Sequence, residues 1–351
     1  MTQRRPHLAL LAVISLFALC SSLGAQVPIR EGLKLNEIHT HDPWILADQA
    51  SHTYYLYNSA GPQLTVSRHC GILAYKSRDL ETWSGPYSVF EIPDGSWANP
   101  AQVPWAPEVH LYSGRYYLFT TLHNQNAQLP ADASAPSGNT TITVSYAGSH
   151  ELHPRGTQVF VADSPLGPFK AIADAPIPPR SYTTLDGTLW VEDGTPYMVY
   201  AHEWLRVVDG QMEAIPMKPD LSAAAGSPFF LFKASDAPWL DDRTATVNTP
   251  QSYVTDGPEL FRTRNGTLLM LWSSYQNGSY VEALAHSTSG KLKGPWKQDG
   301  ILLGDDSGHG MIFQTFSGDL RLVVHHPFDG RLSHAYIYPI EDTGDTIRLK
   351  P

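Results

Sequence analysis

Three aspartates stand at the beginning of strand-like apolar runs that lie far apart in the sequence. Asp42 opens "DPWILAD", Asp186 lies in "LDGTLW" and Asp256 lies in "TDGPELF". Carboxyl groups that converge in a partly dry site repel one another, so one can stay protonated as an acid while another stays ionised as a base. Cleavage of a glycosidic bond requires such a pair. Asp-Pro and Asp-Gly are also ordinary turn signals, which gives each aspartate alone a structural interpretation.

A repeated unit supplies the elements that would position these carboxyl groups. Each copy has a polar start, an apolar strand, a turn and an aromatic-rich return strand. The copies are "DPWILADQASHTYYLY", "WAPEVHLYSGRYYLFTT", "LDGTLWVEDGTPYMVYA", "TDGPELFRTRNGTLLMLWSS" and "GHGMIFQTFSGDLRLVVHH". Sustained helical periodicity is absent, and β-branched and aromatic residues dominate the runs. The pattern predicts an all-β, five-bladed β-propeller, with a β-sandwich or two small β-domains as the alternative.

Ring closure of such a propeller would gather the chemistry at one end of the central channel. The first residues of each innermost strand and the last residues of the next strand reach the same end, because the two strands are antiparallel. The three aspartates occupy matching places in their repeats, so we expect them to meet there. The residues expected to contact a sugar around them are His41, Trp105, His123, His202, Trp204, Ser274, Tyr275 and His326. Packing between blades is the alternative role for the aromatics, and structural hydrogen bonding for most histidines.

The amino-terminal segment has the pattern of an export signal. Arg4 and Arg5 precede the apolar run "LALLAVISLFALC" and the small residues of "SSLGA". We therefore divide the chain into a signal peptide over 1–25 and a single catalytic propeller domain over 26–351, exported to the periplasm or outside the cell. A lipid anchor on Cys20 is the alternative.

The composition argues against several classes of partner. The chain has 351 residues, of which 42% are hydrophobic and 11% aromatic, enough for a large core. Its formal net charge of −10, without a basic block, gives no reason to expect nucleic acid binding. After the amino-terminal segment no stretch reaches about 18 apolar residues, so no membrane span is predicted. Only Cys70 remains beyond that segment, so no internal disulfide can form.

The repeats resemble the motifs of glycoside hydrolase family 43, five-bladed propeller enzymes that act on arabinofuranosides and xylosides. "HDPWILAD" is similar to the first-blade motif of the family, "WAPEVHLYSGRYYLF" to the second, "LDGTLWVEDGTPYMVYAHEW" to the third and "SGHGMIF" to the fifth. The resemblance implies that Asp42 is the general base and that Asp186 tunes the pKa of the acid and orients it. It also implies that His309 lies near a central ion, often calcium.

One departure from the family concerns the general acid. "TDGPELF" sits where the family usually has Glu-Gly-Pro or Glu-Ala-Pro, and that glutamate is the acid; here the position is Asp256. Aspartate is shorter by one methylene, and proton transfer depends on reach. Glu203 is the alternative acid and Glu259 a third candidate.

The activity implied by the resemblance is inverting hydrolysis of arabinofuranosyl or xylosyl linkages in plant cell-wall polysaccharides or oligosaccharides. The departure at Asp256 raises an alternative, a carbohydrate-binding propeller without catalysis. A purely structural role would leave the acidic channel mouth unexplained.

Overall fold

A computed structural model describes residues 27–130, 141–144, 148–240 and 252–351. Five β-sheets stand in a ring, which confirms the all-β, five-bladed propeller; the sandwich alternative is wrong. The predicted signal peptide and Cys20 lie outside the described residues. No helix within the described ranges is long and apolar enough to cross a membrane.

The elements are almost entirely strands. In chain order they are β1 (Arg30–Leu33), β2 (Trp44–Asp48), β3 (Thr53–Ala60), β4 (Gly71–Ser77), β5 (Trp83–Glu91), β6 (Trp105–Tyr112), β7 (Arg115–His123), β8 (Thr141–Val144), β9 (Gly148–Glu151), β10 (Arg155–Ala162), β11 (Lys170–Ala171), β12 (Thr184–Glu192), β13 (Thr195–His202), β14 (Gln211–Pro216), β15 (Phe229–Lys233), β16 (Asp256–Arg262), β17 (Leu268–Gln276), β18 (Ser279–Ser287), β19 (Trp296–Leu303), β20 (Gly308–Gln314), β21 (Leu320–His326), β22 (His334–Asp342) and β23 (Ile347–Leu349). Within the described residues, one short helix, α1 (Trp204–Val207), and the 3-10 turns Leu35–Glu37, Pro62–Leu64 and Ala234–Asp236 accompany them.

Each blade is an antiparallel meander with its innermost strand on the channel. The sheet orders are β1-β5-β4-β3-β2, β11-β10-β7-β6, β12-β13-β14-β15, β16-β17-β18-β19 and β20-β21-β22-β23. Neighbouring innermost strands contact one another around the ring, and β20 contacts β2 to close it. Near this closure the Thr40 N–H donates to the carbonyl of Ser333 at 3.0 Å. A separate pair, β8 and β9, lies within the long insertion of the second unit.

Aromatic side chains fill the spaces between blades. Phe90 of the first blade packs on Phe160 of the second with ring centroids 4.3 Å apart. Phe232 of the third blade packs on Trp272 of the fourth at 5.4 Å. Fully burying a large apolar side chain stabilises the fold by about 1.5–3 kcal/mol. These contacts hold the blades at the spacing that fixes the channel.

A bulge near the start of the innermost strands determines which side chains enter the channel mouth. The pairing of β6, β12, β16 and β20 shifts register at this point. The residues with positive φ at the matching positions are Asp42 (52°), Ala106 (43°), Asp186 (55°), Gly257 (50°) and His309 (51°). Aspartate, histidine and glycine tolerate this left-handed conformation better than most residues.

This bulge corrects one expectation from the sequence. Gly257 is the structural equivalent of Asp42 and Asp186, so the prediction that Asp256 occupies a matching place is wrong by one residue. In the sequence, "DGP" of the fourth repeat can be matched to "DP" and "DG" through either its aspartate or its glycine. The bulge in the structure shows that the glycine has the left-handed conformation. Asp256 therefore approaches the channel from a different direction than the other two aspartates.

Candidate active site

Asp42 lies among three imidazoles at the channel mouth. Its Oδ1 is 3.1 Å from His309 Nδ1, 3.2 Å from His325 Nδ1 and 3.5 Å from His41 Nε2. Burial alone would raise the pKa of the Asp42 carboxyl, but His309, His41 and the contact with His325 outweigh it and hold that pKa well below its usual range. Asp42 is therefore ionised at neutral pH, the state that a general base requires.

Asp186 and Asp256 form a carboxyl pair on the other side of the mouth. Asp186 is 3% exposed, and its Oδ2 accepts the Gly257 N–H at 3.2 Å. Burial, the charge of Asp256, a hydrogen bond to Asp256 and the charge of Asp42 raise the pKa of Asp186 well above its usual value. The pair therefore keeps one proton at neutral pH, and Asp256 is its more exposed member.

His309 connects the ionised and protonated sides. Its Nδ1 lies 3.1 Å from Asp42 Oδ1 and 3.9 Å from Asp186 Oδ2. Side-chain donor atoms of Asp186, Asp256 and His309 all lie within 4.8 Å of one another. The ring thus brings the three aspartates to a single mouth, although Asp42 and Asp256 are separated by most of the chain.

Tyr280, on the third strand of the fourth blade, links the two sides from behind. Its hydroxyl donates to Asp256 Oδ2 at 2.7 Å, and its fully buried ring stacks on His325 at 5.4 Å with an interplanar angle of 11°. His325 in turn stacks on His41 at 4.0 Å. Sequence reasoning missed Tyr280 because it considered only the first two strands of each blade.

Comparison with known proteins decides the family. The sequence profile of Glycosyl hydrolases family 43 matches residues 36–347. The chain belongs to glycoside hydrolase family 43. It is therefore a glycoside hydrolase by family, and its substrate class is carbohydrate, as the resemblance of the repeats predicts.

Several members of family 43 are similar to this chain. The solved endo-arabinase of Bacteroides thetaiotaomicron VPI-5482 is 34% identical, with a TM-score of 0.73 over 89% of this chain and 98% of that one. The Extracellular endo-alpha-(1->5)-L-arabinanase 1 of Bacillus subtilis (strain 168) is 22% identical over 184 residues, 51% of this chain. That match spans about half, 48%, of the curated relative. A solved endo-1,4-beta-xylanase of the same Bacteroides strain, 20% identical with a TM-score of 0.65 over 91% of this chain and 97% of that one, shares the fold.

Glu203, the alternative acid of this family 43 hydrolase, lies in an environment different from that of the Asp186 and Asp256 pair. It is 3% exposed and forms an ion pair with Arg155. Its carboxylate is engaged by the guanidinium in this buried ion pair and is not directed at the three aspartates as a free acid. Arg155 also places its guanidinium carbon 4.5 Å above the Trp105 ring. The geometry favours a supporting role for Glu203.

Glu259, the third candidate, faces the channel below the mouth. It lines a small central cavity together with Glu108, Asp42 and His309. Burial and the charges of Glu108 and Glu282 raise its pKa well above the usual value. Glu259 and Glu108 occupy matching places in their repeats, which supports a structural role for Glu259.

The eight predicted sugar-contacting residues divide into two sets by burial. Those partly exposed at the mouth are His41, Trp105, Trp204 and His326. Those buried are His123, His202, Ser274 and Tyr275.

Each member of the buried set contacts the protein itself. His123 Nε2 contacts the Val103 carbonyl at 2.8 Å, and burial with the charge of Arg155 lowers its pKa to about 4. His202 Nδ1 contacts Glu213 at 3.0 Å, and the Ser274 hydroxyl donates to the Val254 carbonyl at 2.7 Å. Tyr275 packs on Tyr280 at 5.2 Å. The geometry favours structural roles for these four.

Among the residues that the structure describes, two groups of side chains at the mouth could hold a cation. His41, Asp42 and His325 form the first, but the His41 and His325 rings are stacked with an interplanar angle of 18°, so their in-plane lone pairs do not converge. The second contains His309, Asp186 and Asp256. His309 Nδ1 is buried and without a hydrogen bond, and it faces carboxylate oxygens. At this second group His309 fits a hydrated cation such as calcium, with water supplying the oxygen ligands.

Proposed function

We propose that this family 43 hydrolase cleaves arabinofuranosyl linkages in plant cell-wall arabinan and its oligosaccharides. The observation that carries the proposal is the position of Asp42, surrounded by three imidazoles, at the same mouth as the Asp186 and Asp256 pair. The arabinanase names of two relatives support arabinan as the substrate. Xylosyl linkages are the second choice, because the xylanase likeness extends to the fold alone.

The proposed mechanism is a single displacement with inversion. Asp42 accepts a proton from water as that water attacks the anomeric carbon, and Asp256 donates a proton to the leaving oxygen. Asp186 keeps that proton on the pair before the reaction, and Tyr280 fixes the direction of the shorter acid side chain. An inverting pair of carboxyl groups stands roughly 6.5–9.5 Å apart, which leaves room for the water.

The partly exposed residues of the mouth supply sugar contacts in this proposal. Trp105 and Trp204 offer apolar ring surfaces to the C–H faces of a sugar, and His41 and His326 offer ring nitrogens to its hydroxyls. His123, with its ring centroid 4.6 Å away, and the Arg155 guanidinium fix the position of the Trp105 ring. A ring fixed by two such contacts loses little conformational entropy when its exposed part meets a sugar.

A calcium ion at His309 is part of the proposal. The buried Nδ1 of His309, with water supplying the oxygen ligands, would hold it and leave the proton on the Asp186 and Asp256 pair. Elemental analysis of active protein should find calcium, and its absence from fully active protein would contradict this part.

Export is also proposed, on the amino-terminal pattern and on the extracellular name of the Bacillus subtilis relative. Amino-terminal sequencing of secreted protein should begin near residue 26. Cytoplasmic protein that keeps its intact amino terminus would contradict the export proposal.

The experiment for the function is digestion of linear arabinan, arabinoxylan and xylan by purified protein. The expected result is release of arabino-oligosaccharides, with NMR of the first product showing an inverted anomeric centre. The competing proposal is the carbohydrate-binding propeller, motivated by aspartate at the acid position. It predicts retention of arabinan in affinity electrophoresis with no new reducing ends.

A further inference from the structure

A pocket beside the mouth is not used by the reaction proposed above. It lies at the second blade and the segments that connect this blade to its neighbours, and it has a volume of about 140 Å³. Its walls include Trp97, Pro130, Pro154, Arg155, Pro176 and Arg180. We name this cavity the outer pocket.

The outer pocket opens at the same end of the propeller as the three aspartates. Arg155 is the first residue of β10 and pairs with His123, the last residue of β7, so both lie at the mouth end of the second blade. Arg155 lines the outer pocket, and its guanidinium carbon lies 4.5 Å from the centroid of the Trp105 ring. Arg155 therefore connects the outer pocket with Trp105 at the mouth.

The chemistry of the walls suits a neutral sugar. Trp97 is partly exposed, and its Nε1–H donates to Gln158 Oε1 at 2.7 Å, which fixes the ring. The prolines add apolar surface for the C–H face of a sugar. Arg180 is exposed and gives one N–H to the Asp174 carbonyl at 2.7 Å, so further guanidinium donors remain for hydroxyl groups.

We propose that the outer pocket binds an arabinofuranosyl residue of the substrate chain, beyond the residues that flank the scissile bond. The inference rests on the proposed function and adds to it that the enzyme recognises chains rather than single terminal sugars. Binding energy from a remote part of a substrate can be used at the reacting centre, so chains that reach the outer pocket should react faster.

The test is kcat/KM for linear arabino-oligosaccharides of increasing length. We expect the wild-type value to rise with length until the outer pocket is filled. In Trp97→Ala and Arg180→Ala the rise should be lost, with a fall of about tenfold on the longest substrate relative to the shortest. Trp190→Ala and Arg78→Ala are matched controls at the opposite end of the propeller, and they should keep the wild-type length dependence.

Three results would overturn the inference. An equal loss at every length would mean that Trp97 and Arg180 only support the fold, and unchanged length dependence in both variants would mean that no sugar occupies the outer pocket. In either case the proposed function stands. A wild-type protein that cleaves no arabino-oligosaccharide of any length would remove the proposed function and the outer-pocket inference together.

Discussion

At the scale of single residues, two neighbours of Asp256 have different roles. Asp186 shares a hydrogen bond with it and repels its negative charge, which favours the protonated form of the pair. Tyr280 donates a hydrogen bond to Asp256 and fixes the direction of its carboxyl group. A pH profile tests the first role, and kcat tests the second.

Asp186→Asn should move the alkaline limb of the kcat/KM profile to lower pH. The substitution removes a negative charge beside the acid, so the proton is lost more readily as pH rises. Activity at neutral pH should fall by about 10²-fold. A pH profile on linear arabinan checks this, and an unchanged alkaline limb would show that Asp186 does not act on the acid.

Tyr280→Phe should lower kcat by about tenfold. The phenylalanine keeps the stacking on His325 but removes the hydroxyl that aims Asp256. A hydrogen bond contributes about 0.5–1.5 kcal/mol. Tyr275→Phe is the matched control, since Tyr275 packs in the same aromatic cluster. Steady-state kinetics on linear arabinan measure both variants, and equal effects of the two would contradict the positioning role.

At the scale of elements, the bulge at the start of the fourth innermost strand depends on glycine. Gly257 has a φ of 50°, and a Cβ there would lie 2.8 Å from Cγ of His309. Gly257→Ala should therefore displace His309, lower the melting temperature and reduce activity. Gly194→Ala is the control, because Gly194 also has positive φ, 79°, but open space around it. Equal effects of the two variants on activity would argue against this contact.

Glu282, on the third strand of the fourth blade, makes the fold less stable as pH rises from about 4.5 toward 8. Burial raises its pKa to about 8, against the hydrogen bonds from Gly310 and Ser273. Below the ordinary pKa of glutamate the folded and unfolded chains both hold the proton. As pH rises toward 8 the unfolded chain ionises freely and the folded chain does not, so the free energy of unfolding falls.

Glu282→Gln should flatten this dependence, because the amide has no proton to lose. Relative to wild type the variant should gain roughly 1–4 kcal/mol in the free energy of unfolding between pH 5 and pH 8. Urea denaturation at both pH values measures it. If the free energy of unfolding changed equally with pH in the two proteins, the ionisation of Glu282 would not destabilise the fold.

At the scale of the whole molecule, the repeat predicts the fold because five similar units cannot bury their faces separately. It also predicts the mouth, since strand direction alone brings Asp42, Asp186 and Asp256 to one end. The register of Asp256 could not be predicted, because the bulge is set by backbone pairing that "DGP" leaves ambiguous. The burial of His202 depends on Glu213, and the ion pair of Glu203 depends on Arg155 of another blade. No pattern in the sequence indicates that Glu213 and Arg155 are these partners.

The central claim is that one ionised carboxylate at this mouth activates the attacking water. The most direct measurement compares kcat of wild type and Asp42→Asn on linear arabinan, with substrate binding measured in parallel by affinity electrophoresis. We predict a loss of about 10³-fold or more in turnover, with retained arabinan binding and an unchanged circular dichroism spectrum. Turnover within a few-fold of wild type in a folded Asp42→Asn protein would contradict the account.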